Sequence, residues 1–171
     1  MNKYIWSVAL VAIGCLPIAG QSADVQRQAE VARLGAEVMP FNLKDTTHIF
    51  TKTNSGGTQR VVAKDVSNAE QIKLVRKHLR GIQSQFQQGD FSGPSHIHGV
   101  DMPGLAELKD STPEQIAIAY KDVTGGAELT YHAKDAKLAM ALHQWFDAQL
   151  SDHGADAMEG HQLHHGNMLK N

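Results

Sequence analysis

Read for its apolar positions, the chain falls into two similar halves. Ile72, Val75, Leu79, Ile82 and Phe86 recur at steps of three and four residues, the spacing that lays one apolar stripe along a helix. A helix is therefore expected over about 68–88. Ahead of it, 46–53 is rich in β-branched and aromatic residues, Asn54-Ser-Gly-Gly57 is turn-forming, and 58–64 is again β-rich, which together predict a hairpin. The order then recurs. Ile116 to Val123 reads as a strand, Thr124-Gly-Gly126 as a turn, and Ala127 to Ala133 alternates with Leu129 and Tyr131 on its apolar side. A helix follows over about 135–150, with Leu138, Leu142, Trp145, Phe146 and Leu150 inward.

Both halves carry a Gly-Gly turn, and Ala63-Lys-Asp65 returns as Ala133-Lys-Asp135. We read two ββα units, 46–88 and 116–150, joined by a loop over 89–113. One hairpin cannot bury a face by itself, but two side by side give a sheet that two helices can cover. The expected fold is α+β: a two-layer sandwich with a four-stranded antiparallel sheet and its helices on one face. An N-terminal helix over Asp24 to Met39, stopped by Pro40, precedes the sandwich, which as a single domain spans 24–154. The remainder, 155–171, has no sustained periodicity and is expected to be a flexible tail.

The first 23 residues read as an export signal. Lys3 gives a basic start, Ile5 to Ile13 is an apolar run broken only by Ser7, and small residues follow Pro17. The run is too short for a permanent span, so a periplasmic or secreted protein is expected. Processing at Cys15 with attachment of a lipid is the alternative. Cys15 is the single cysteine, so a chain cut near Ala23 has no disulfide and must hold any metal through His, Met and carboxylates. Lys and Arg number 16 against 18 acidic residues, a balance that argues against a nucleic-acid partner.

Histidine changes the picture, with ten in 171 residues. Ser95-His-Ile-His-Gly-Val-Asp-Met-Pro-Gly104 places His96 and His98 two apart, which on an extended backbone turns both imidazoles to one side. Asp101 comes within reach if Gly99 turns the chain. This set suits Cu²⁺, Zn²⁺ or Ni²⁺, and Met102 adds affinity for Cu⁺. The competing expectation is structural: Asp101 caps a short helix at 104–109, and His98 only pins the loop. In the tail, His153, His161, His164 and His165 lie close to Met158 and Met168 and could collect ions. His48 shares a strand face with Phe50 and is either half-buried or near a sheet end where loops gather. His78 and His143 sit at the edges of their helix stripes, and His132 on a polar strand face, as ordinary hydrogen-bonded or solvated rings. No Walker-type glycine loop, Gly-x-Ser-x-Gly, His-Glu-x-x-His or haem-attachment motif is present.

Thr46-Thr-His-Ile-Phe50, His98-Gly-Val-Asp-Met-Pro-Gly-Leu105 and Leu142-His-Gln-Trp-Phe-Asp-Ala-Gln-Leu-Ser-Asp-His-Gly154 resemble a family of small exported bacterial proteins often carried under the name aspartate carbamoyltransferase. The enzyme of that name is a much longer two-domain protein with a Ser-Thr-Arg-Thr phosphate loop, which this chain lacks. The resemblance therefore implies shared motifs and a shared fold over about 40–154, and no carbamoyl transfer. It also implies that a site belonging to the fold itself would be formed from His48, His98, Asp101, His143 and His153, with His96, His161, His164 and His165 as accessories.

The leading expectation is an exported metal-binding protein, copper before zinc or nickel, without catalysis. Its ligands would be His98 and Asp101 from the connecting loop, with His48 and His153 converging on them. A metal-free module that docks on another envelope protein is the alternative. A small hydrolase with His98 as base and Asp101 as its orienting group is the third.

Overall fold

The computed structural model describes residues 19–161, with side chains from Asp24 onward. Helix α1 (Ala19–Val38) leads through a short 3₁₀ turn into strands β1 (Thr46–Thr53) and β2 (Gly56–Ala63), then helix α2 (Ala69–Gln87). Short helices α3 (Ser92–His98) and α4 (Leu105–Asp110) form the connection to β3 (Ile116–Val123), β4 (Gly126–Ala133) and helix α5 (Ala136–His153). A second 3₁₀ turn and a three-residue strand, β5 (Ala157–Glu159), close the described chain. Among the described residues no helix is long and apolar enough to cross a membrane.

Both ββα units form at the expected places, and the fold is α+β. The sheet differs from expectation. Among the described residues it has five strands in the order β3-β4-β2-β1-β5, because β5 adds to β1 in parallel and makes the sheet mixed. The two hairpins meet through antiparallel pairing of β2 with β4. This places the second strand of each unit at the centre. Equivalent caps start the two long helices: Asn68 accepts a hydrogen bond from the Gln71 amide at 3.2 Å, and Asp135 from the Leu138 amide at 2.9 Å. Each satisfies one of the free N–H groups of a first turn.

One sheet face carries Phe50, Val61, Leu129, Tyr131, Ile116 and Ile118, all buried, and both long helices cover it. Phe146 of α5 lies 5.1 Å from Phe50 between ring centroids, and Trp145 lies 5.9 Å from Tyr131. Val75 and Leu79 bring α2 into the same core. The opposite face is thinner and more polar. There Glu128, nearly buried, is held by Arg60 at 2.5 Å and Lys121 at 2.7 Å, and its carboxyl stays below the usual range: burial acts to raise it, and the two cations outweigh burial.

The connection over 89–113 is not an open loop. Phe91, Ile97, Met102, Leu105 and Leu108 all enter the core, so the segment is anchored by its own apolar side chains. Gly104 fixes its approach to α5. Its φ is +76°, and a Cβ at this position would stand 2.0 Å from the Ala141 carbonyl oxygen, a contact no side chain could make.

Helix α3 overturns the expected geometry of the two loop histidines. The His96–His98 spacing that would align two rings along a strand separates them around a helix. His96 points outward, where its Nε2 meets Glu37 of α1 at 2.9 Å, while His98 turns into the core. Pro94 does not prevent this helix, since it lies in the first turn, where its missing N–H has no intrahelical partner to lose. Residues 155–160, expected to lie in the tail, pack on the domain. Asp156 is buried, with Lys44 at 2.5 Å and Lys64 at 3.4 Å on its carboxylate, and the Gly160 amide donates to the Phe50 carbonyl at 2.8 Å.

Candidate functional site

Two helices end at one place. His98 is the last residue of α3 and His153 the last of α5, and each is followed by a glycine with positive φ, Gly99 at +85° and Gly154 at +52°. The glycines turn the chain away and leave both imidazoles at the interior ends of their helices. Their rings meet edge to face, with centroids 5.1 Å apart. On the other side of His153, the ring of His48 from β1 lies nearly parallel to it, at 4.9 Å and 4°.

Asp152 organises the group. Its Oδ2 lies 2.7 Å from Nδ1 of His98. Arg27 of α1 grips the same carboxylate with two hydrogen bonds, Nε to Oδ1 at 2.9 Å and Nη2 to Oδ2 at 2.6 Å, and Nη2 also donates to the His98 carbonyl at 2.7 Å. A bidentate guanidinium is a stronger and more directional clamp than a lysine would be. Burial works to raise the Asp152 carboxyl, but the hydrogen bonds and charges of His98 and Arg27 prevail and bring it down to about 2. An ionised Asp152 accepts the Nδ1 proton of His98, which fixes the orientation of the ring.

The neighbouring rings are poor bases. Burial, reinforced by the charge of His98, brings His153 down to about 4 against weaker opposition from Asp152 and Asp156. His48 lies well below its ordinary value, first through burial and then through the charges of His153, His78 and His98, with a backbone hydrogen bond to Asp156 opposing. Its Nδ1 is buried without a hydrogen-bond partner. His78 of α2, edge-on to Phe41 at 5.4 Å, is brought by burial to about 4. The interior thus holds uncharged imidazoles at neutral pH, each able to offer an unprotonated nitrogen.

Behind His98 and His153 lies a cavity of about 50 Å³, between α2, α3 and α5. Ile82, Phe86, Pro94 and Ile97 line it together with the polar side chains of Gln59, His78, Gln85 and Gln149. His98 stands between this cavity and an outer groove lined by Arg27, Asp101, Met102 and Asp152.

Of the residues singled out in the sequence, His48, His98 and His153 come together. Asp101 does not join them: it is exposed in the outer groove. Nor does it cap α4, whose N-cap is Gly104 with no side-chain hydrogen bond. Met102 is buried among core side chains. His96 is committed to Glu37, and His161 is exposed at the end of the described chain. His164 and His165 lie outside the described residues. Among the described residues no three His, Cys, Asp or Glu side chains are disposed to hold one ion together, so a metal here would need a ring to turn or fewer protein ligands.

Sequence reasoning missed Asp152 and Arg27. A signal for the first was present: the α5 stripe Leu138, Leu142, Trp145 continues at the same steps to Gln149 and Asp152, polar residues at core positions. Arg27, on a weakly patterned helix, gave none. Comparison with known proteins adds nothing further, since no protein family, curated protein or solved structure matches the chain.

Proposed function

We propose that the protein is an exported metal-binding protein, with copper as the favoured ion, and that His98 and His153 are its principal ligands with His48 beside them. The observation that carries this reading is the 2.7 Å hydrogen bond between Asp152 and Nδ1 of His98. A carboxylate on the far nitrogen of a ligating histidine fixes the ring, selects the tautomer and raises the basicity of the nitrogen facing the metal. Arg27 holds that carboxylate in turn. Metal binding also requires deprotonated imidazole, and the burial that lowers His153 and His48 supplies it at neutral pH. The unpartnered Nδ1 of His48 is a third nitrogen with no competing hydrogen bond.

Copper is preferred on coordination number. A structural zinc site takes four protein ligands, one more than the three imidazoles here, and imidazole nitrogen is a donor that suits copper. Nickel(II) favours a square-planar set that two crossed rings do not resemble. The test is the metal content of purified protein after loading with copper, zinc and nickel, with His98→Ala as the comparison. One copper per chain that is lost in His98→Ala supports the reading, and no stoichiometric metal under any loading ends it.

Asp152 also occupies the place that a base-orienting carboxylate would need, and this supports a second reading as a small hydrolase with His98 as general base. Ester hydrolysis that survives chelation and disappears in His98→Ala would favour it over metal storage.

A further inference from the structure

On α2 the positions away from the buried stripe carry one sign of charge. Lys73, Arg76, Lys77 and Arg80 follow at steps of three, one and three, which sets them on one face of the helix, while Val75 and Leu79 enter the core. Like charges three and four apart disfavour a helix, so helix formation gives no reason for this row. The rest of the domain has the other sign. Residues 73–80 hold four cations and no acid, whereas the remainder of 24–161 holds ten cations against eighteen acids. The row is also open to solvent: the side chains of Lys73 and Arg80 are 77 % and 61 % accessible, and Lys77 is exposed. Asp122 of β3 holds Arg76 at 3.3 Å and Arg80 at 3.0 Å, and Glu70 stands 3.8 Å from Lys73. Lys77 has no acidic partner among the described residues. Val66, in the turn before α2, is exposed. It adjoins the β3–β4 turn that Arg76 grips through the carbonyls of Val123 at 3.2 Å and Gly126 at 3.1 Å.

We propose that this face of α2 docks on an anionic phospholipid bilayer, with Lys73 and Lys77 at the headgroups and Val66 at the edge of the acyl region. Charge complementarity carries the inference. A planar anionic surface engages the exposed row from one direction, and the charge asymmetry of the domain turns that face towards it before contact. Each lysine brought to such a surface strengthens binding by about fivefold. The residue types favour lipid over protein as the partner. Lysine is depleted from the centres of protein interfaces, and its flexible, hydrated point charge follows mobile headgroups more readily than it fills a fixed pocket. A single phosphate fits less well, since the carboxylate of Asp122 already engages two of the four cations. Export, as in the proposed function, brings the domain to such a membrane. The docking itself needs no metal and uses none of the proposed copper ligands.

The experiment sediments the full chain, with a chelator present, on vesicles of phosphatidylcholine alone or with about one-third phosphatidylglycerol. The ratio of the two partition coefficients is read, so that the apolar run Ile5 to Ile13, common to both measurements, drops out. A preference for the anionic vesicles of about 30-fold at low ionic strength is expected, two lysines at about fivefold each. It should fall to within about twofold in about 0.5 M salt, where surface charges are screened. Lys73→Gln combined with Lys77→Gln should abolish the preference. Both side chains are exposed and neither bonds another element, so the variant keeps its fold. Lys109→Gln combined with Lys137→Gln removes the same charge from exposed positions on α4 and α5 and should leave the preference intact. Sodium phosphate, matched in ionic strength by sodium chloride, should displace no more protein than the chloride does. Equal partition into both vesicles overturns the proposal, as does a preference that survives the Lys73 and Lys77 substitutions or is lost equally in the control. Specific displacement by phosphate also overturns it, by making the row a single-anion site. With metal absent throughout, no outcome depends on whether copper binds.

Discussion

The carboxylate of Asp152 lies 2.7 Å from Nδ1 of His98 across 54 residues of sequence, and this bond ties the connecting segment to the end of α5. It fixes one imidazole beside the buried rings of His153 and His48. What the site can do depends on that fixation. Asp152→Asn keeps the shape of the side chain and removes the charge. It should lower copper affinity by about 10–100-fold, the usual cost of losing such a supporting carboxylate. Isothermal titration of both proteins measures this, and equal affinities would separate Asp152 from the site.

Stability should fall as pH drops through the mildly acidic range. His78 and His153 stand near 4 in the folded protein against an ordinary 6.5, and His48 is lowered as well. Between these values the unfolded chain binds protons that the folded chain refuses, so acid favours unfolding. The stabilisation is complete above about pH 6.5 and is lost progressively down to about 4, by at most roughly 3 kcal/mol for each of His78 and His153. Below about 3.8 Asp152, held near 2 when folded, adds a further loss. Urea denaturation at pH 7.5, 6 and 5 checks this, and a stability independent of pH over that interval would contradict it.

The C-terminal boundary can be tested by truncation. Ending the chain after His161 keeps β5 and the Asp156 ion pairs, and should leave thermal stability unchanged while removing His164 and His165. Ending it after Gly154 removes the strand beside β1 and the buried Asp156. That should lower Tm by several degrees, as about 1–2 kcal/mol does in a domain of this size. Scanning calorimetry on both truncations distinguishes the two effects.

Gly104→Ala should destabilise by more than about 2 kcal/mol, since a left-handed backbone alone costs an alanine about 1–2 kcal/mol. The added methyl would also press on the Ala141 carbonyl and push α4 off α5. Chemical denaturation measures it. An unchanged midpoint would mean that this contact is not tight in solution.

The two ββα units were legible because their apolar stripes are long and regular, and because a turn-forming Gly-Gly pair stands between the strands of each. β5 was not legible: Ala157-Met-Glu159 has no alternation, and it is a strand only because β1 offers an open edge. The geometry of His96 and His98 was misread because a spacing of two has opposite consequences in a strand and a helix, and the surrounding Gly and Pro suggested neither. His48, His98 and His153 were found from residue type and motif position. Asp101 was chosen as their carboxylate because it is near in sequence, whereas the carboxylate that reaches His98 comes from the far end of α5. That pairing is set by how α3, α1 and α5 pack, which no local pattern contains.

The central claim is that the fixed His98, with His153, binds copper. Its most direct measurement is a Cu⁺ competition titration against a chromophoric chelator, under reducing conditions, on the chain truncated after His161. The account predicts one tightly held Cu⁺ per chain, abolished by His98→Ala and by His153→Ala but retained in His96→Ala. No retained copper, or binding that survives both the His98 and the His153 substitutions, would contradict it.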